Sequence, residues 1–123
     1  MPAELTDDPE KAAHDLTEHG YCLLECPLEE SRFRALRDRL EQVRSQERED
    51  GTGYIYDGDN QRVFSLLNKG IEFEELVQEP TVLRLMEEVL GYNFLLSSTH
   101  ANIAGPGGAS MYLHADQTFC RAP

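Results

Sequence analysis

The chain has 123 residues, 40% hydrophobic and 28% charged, the composition of one ordinary globular domain. Its net charge of −12 argues against a nucleic-acid backbone or an anionic membrane surface as partner. No apolar run approaches the roughly 20 residues of a membrane span, and the acidic start MPAELTDDPEK lacks an apolar leader, which points to the cytoplasm.

Asp7 or Asp8 can cap a first helix, and Pro9 suits its first position. The helix runs through EKAAHDLTEH to Gly20, a C′ residue. YCLL then reads as a short strand. Cys22 and Cys26 are four apart, which is not a CxxC pair, and with Cys120 they make an odd set of reduced, structural thiols.

PLEESRFRALRDRLEQVRSQERED is the clearest helix. Phe33, Leu36, Leu40 and Val43 repeat at spacings of three and four and share one face. Glu29 and Glu30 suit the first turn. The interleaved arginines and acids predict a solvated, ion-paired face rather than a basic patch. GTGYIYDGDN marks turns. Its Asp57, Asp59 and Asn60 lack the spacing and closing Glu of an EF-hand. QRVFSLL is a strand or an irregular core segment.

EPTVLRLMEEVLG is a helix from Pro80 to Gly91, with a broad apolar face of Val82, Leu83, Leu85, Met86, Val89 and Leu90. YNFLLSSTHANIA alternates like a strand. Phe94, Leu96, Ser98, His100, Asn102 and Ala104 would share one face. GPGG breaks the run, and ASMYLHADQTF resumes it. Helices precede strands, which reads as α+β.

His114 and Asp116 are two apart, so on a strand they project together. Imidazole plus carboxylate suits iron or another borderline divalent metal, as in the facial triad of two His and one carboxylate. Zinc would need a third protein ligand. The remaining histidines are His14 and His19 on the first helix and His100 on the late strand.

QRVFSLLNKG, LGYNFLLSSTHANIAGPGG and LHADQTF, with the opening HDLTEHGYCLLECPLEESRFRALRDRL, resemble the N-terminal half of phytanoyl-CoA dioxygenase-like proteins, from about residue 10 to 119. The resemblance implies a jelly-roll of two facing sheets. The helical region would run over about 1–91 and the start of the barrel over about 92–123, all within one domain. It implies an oxygenase dependent on Fe(II) and 2-oxoglutarate that hydroxylates a small organic substrate. His114 and Asp116 match the first two iron ligands. Gln117 would orient substrate or the co-substrate carboxylate, and Asn102 would contact 2-oxoglutarate or substrate. Where several members carry a Lys before Pro-Gly, this chain has Ala104 and Gly105. Arg62 could face the pocket or pair on the surface. The family's later His and its 2-oxoglutarate-binding Arg would lie past Pro123, so the reading expects a longer protein and a chain inactive alone. His100 as a third ligand would depart from the family; a hydrogen-bonded strand His is the plainer reading. The alternative function is a non-catalytic chain that associates through its open sheet edge with itself or a partner.

Overall fold

The structure is a computed structural model and describes residues 2–114. Its first layer forms around α1 (Pro9–His19). Asp8, not Asp7, is the cap: its side chain accepts from the Glu10 N–H. Pro9 needs no N–H in the first turn. Gly20 ends the helix at φ 77°, where a Cβ would be strained, and its N–H donates to the Leu16 carbonyl. The helix is a crossover between two short parallel strands, β1 (Leu5–Thr6) and β2 (Leu23–Leu24). β2 lies inside the expected YCLL strand. β1 was not expected, because two residues carry no period.

α2 (Glu30–Glu49) is the long helix. Val43 is buried, with Leu36 and Leu40 packed beside it, while Phe33 in the first turn stays exposed. Its outer face is ion-paired as the sequence implies: Arg34 with Glu30, Arg37 with Asp38, Arg44 with Glu41.

The glycine-rich stretch after α2 holds more than turns. β3 (Tyr54–Tyr56) and β4 (Asn60–Val63) form an antiparallel hairpin. β5 (Ala101–Ile103) pairs antiparallel with the other edge of β4, so β4 is central in the order β3-β4-β5. Two of the sheet's three strands thus come from before residue 91. The alternating run at 92–104 yields a strand only where β4 lies beside it. Upstream, Leu95 and Tyr92 are exposed, and alternation without a partner strand makes no ladder.

A single 3-10 turn at Leu66–Asn68 and the short α3 (Ile71–Leu76) follow β4. α3 escaped the sequence reading because six residues are too few to show a helical period. α4 (Pro80–Leu90) begins and ends where Pro80 and Gly91 predict. Of its apolar face only Leu85 is buried; Val82, Leu83, Val89 and Leu90 are exposed. It packs on α1, and Arg84 pairs with Glu10. The main core is Val43, Val63, Leu66 and Phe73, between α2, α3 and one face of the sheet. Helix and strand are mixed as an α+β chain requires. Among the described residues no helix is long and apolar enough to cross a membrane.

Candidate functional site

Alternation along β4 divides its side chains between two faces. Gln61 and Val63 are fully buried toward α2. Gln61 is satisfied there: its Nε2 donates to the Arg44 carbonyl at 3.1 Å, and its Oε1 accepts from Arg48 Nε at 2.6 Å. Arg62 and Phe64 go to the opposite face. There Arg62 stands opposite Tyr54 on one side and Asn102 on the other.

That opposite face carries rings around one cation. Tyr54 lies 5.5 Å from Tyr56 and 5.6 Å from Phe64, and Phe64 lies 6.2 Å from His100, centroid to centroid. The Arg62 guanidinium carbon sits 5.5 Å from the Tyr56 centroid and 5.8 Å from that of Phe64, within range of cation–π attraction. Arg62 Nε donates to Asn102 Oδ1 at 2.6 Å. Phe64, Leu67, Leu96, Thr99 and His100 help to line an adjoining cavity of about 310 Å³. Thr99 Oγ1 is buried without a hydrogen-bond partner among the described residues. Ser65, also at this cavity, has a left-handed backbone at φ 54°, a costly conformation for a residue with a Cβ.

The GPGG turn docks on the turn between β3 and β4. Asn60, buried at the start of β4, accepts from the Gly105 N–H at 3.2 Å and donates from Nδ2 to the Ala109 carbonyl at 3.0 Å. The Ala109 N–H donates to the Asp57 carbonyl at 2.8 Å. The approach is too close for side chains. A Cβ on Gly105 would overlap the Asp59 carbonyl, and one on Gly108 would overlap the Asn60 carboxamide. This clasp sets where the chain departs toward His114. Asp59 pairs with Arg48 at 2.8 Å and Asn60 holds the clasp, so both serve the turn.

Beyond the clasp, His114 is exposed, and its Nδ1 lies 2.9 Å from the Tyr112 carbonyl. A carbonyl oxygen only accepts, so Nδ1 carries the proton, and a neutral ring then has its lone pair on Nε2. Nε2 is the ligand atom this residue would offer. Asp116 and Gln117 lie outside the described residues, as does Cys120. Among the described residues no group of three His, Cys, Asp or Glu could hold a metal. The donors present fit a divalent metal in kind, one imidazole with a carboxylate two positions on, but they do not complete a site. His14 and His19 are exposed on α1, remote in sequence from this segment.

The structure therefore brings Asn102, Arg62 and His100 onto one sheet face. Sequence reasoning missed Tyr54, Tyr56 and Phe64 on that face. The YIY triplet was a usable signal, masked by the glycines and aspartates around it.

Comparison with family models matches this chain to phytanoyl-CoA dioxygenase (PhyH) over residues 16–123. The chain belongs to the phytanoyl-CoA dioxygenase family. Among curated proteins it is similar to dioxygenase af480 of Aspergillus fumigatus, 33% identical over 121 residues. The match covers 94% of this chain and 39% of that relative's length. No solved structure matches. The family implied by the sequence resemblance is thus the family found. His114, Asp116, Asn102 and Gln117 all fall within the matched span.

Proposed function

We propose that this chain supplies the first part of an Fe(II)- and 2-oxoglutarate-dependent dioxygenase domain that hydroxylates a small organic substrate. The observation that carries the reading is the PhyH match over 16–123, which includes the His114-x-Asp116 pair. In this reading β3-β4-β5 belongs to one sheet of a jelly-roll. The face packed on α2 is its outside, and the face with Arg62 and Asn102 looks inward.

His114 and Asp116 would hold iron, and the metal with 2-oxoglutarate would supply oxidation of a C–H bond by dioxygen. The chain's own residues bind and orient. Arg62 is donor-only, so Asn102 turns its Oδ1 toward Arg62 and keeps its Nδ2 hydrogens for an acceptor on the same face. Asn102 and Gln117 would contact the co-substrate or substrate. Tyr54, Tyr56 and Phe64 would exclude water from that face.

The test is His114→Ala in the natural full-length protein. Fe(II) affinity is expected to fall by at least about a hundredfold, since loss of outer-shell partners alone costs 10–100-fold. Iron-dependent succinate formation from 2-oxoglutarate is expected to vanish. Unchanged iron binding and turnover would overturn the reading.

A further inference from the structure

Arg62 has a different setting from the other cations of this acidic chain. The sequence holds 23 acidic residues against 11 Lys and Arg, so carboxylate partners are plentiful. Ten of the eleven lie among the described residues, and eight of those ten are ion-paired. The exceptions are Arg39 and Arg62. Arg39 is used structurally: its Nε donates to the Lys69 carbonyl at 2.6 Å and its Nη1 to Gln42 at 2.7 Å. Among the described residues, Arg62 makes its one hydrogen bond through Nε, to Asn102. No acidic partner reaches its two Nη groups among the described residues.

The surroundings prepare that guanidinium for an anion. The Asn102 bond holds Nε and so fixes the plane of the fork. The Tyr56 and Phe64 rings flank the cation and limit its hydration without neutralising it. Asn102 Nδ2 adds a third donor group beside the two Nη groups. Such convergent donors match the oxygens of a carboxylate or a phosphate. Phe64 is also a wall of the adjoining 310 Å³ cavity, with Leu96 and His100. That volume is at the lower end of the range for small-molecule sites. An anion at Arg62 would therefore have a ring-lined, partly apolar space next to it for the rest of its body.

We infer that Arg62 anchors the anionic group of an organic-acid substrate whose body lies against Phe64 and His100. The word substrate rests on the dioxygenase reading; the binding itself does not.

The probes are benzoate and benzamide, which share a ring and differ in charge. Each is titrated into the iron-free protein and read by chemical shifts of the β3, β4 and β5 amides. Benzoate is expected to bind and to shift Arg62, Phe64 and Asn102. Benzamide is expected to bind at least about tenfold more weakly, as is benzoate to Arg62→Gln, the loss of one charge-assisted contact. Arg62→Lys keeps charge without the fork and is expected to fall between, which covers the case that Arg62→Gln does not fold. Equal binding of both probes, an unaltered Arg62→Lys, or no binding of benzoate would overturn the inference. Competition of 2-oxoglutarate with benzoate would assign Arg62 to the co-substrate and overturn it as well. The measurement uses neither iron nor oxygen. Unchanged iron binding and turnover in His114→Ala would overturn the dioxygenase reading and leave this anion site standing, and charge-independent binding would leave the dioxygenase reading untouched.

Discussion

Asp15 is buried on α1, and Lys11 one turn earlier donates to its Oδ2 at 2.7 Å. That hydrogen bond holds the Asp15 carboxyl below the usual carboxylate range and the Lys11 ammonium above its own. A lowered acid stabilises the fold above its unfolded-state pKa, and the contribution disappears as pH falls through the folded value. A raised base stabilises below its unfolded-state pKa and loses the effect as pH rises through the folded one. Urea midpoints taken from about pH 6 down to about pH 2 should fall less steeply for Asp15→Asn than for the parent chain. Equal slopes would refute the pairing. Single residues were legible in the sequence where their meaning is local. Gly20 announces itself as a helix end, and α1 ends there. Arg62 does not announce itself, because its setting depends on Asn102, forty positions away, and on which acids fail to reach it.

Between elements, the docking of GPGG on the β3–β4 turn carries the argument. Gly105→Ala would drive a Cβ into the Asp59 carbonyl, and backbone cannot move aside as a flexible side chain can. The turn would lift and take the Asn60 hydrogen bonds with it. Overpacking of this kind costs about 1–3 kcal/mol. Urea denaturation should show that loss, and an unmoved midpoint would show that the turn does not dock as described. The ends of α1 and α4 were legible because Asp8, Pro9, Gly20, Pro80 and Gly91 act on their own turns. The hairpin was legible only in part, since QRVFSLL reads as a strand or core segment and β4 takes up its first three residues, while β3 lay hidden in the turn signals. Its strands are three and four residues long, and a period of two needs more than that to stand out from a turn-rich background.

For the molecule as a whole, the core is small. Phe73 is 1% exposed and touches the cluster of Val43, Val63 and Leu66 that joins helices to sheet. Truncating a buried Phe costs about 3–5 kcal/mol, a large share of the roughly 5–15 kcal/mol that holds a domain together. Phe73→Ala should therefore lose most of its protease resistance and its cooperative thermal transition. A melting curve like the parent's would mean the core lies elsewhere. The α+β class was legible from alternating periods. The number of strands was not, since extended segments become strands only beside partners. This chain spans 39% of the length of its curated relative.

β4 has Gln61 and Val63 against α2 and Arg62 among the rings. One face is thus packed core and the other carries a cation among rings, and its register is set on both edges. Insertion or loss of one residue within Asn60–Val63 would exchange the faces, placing a cation in the core and a valine among the tyrosines. Length variation between descendants of this sequence has to be absorbed elsewhere, in stretches such as 110–113 that enter no ladder. The central strand can change its letters far more freely than its count.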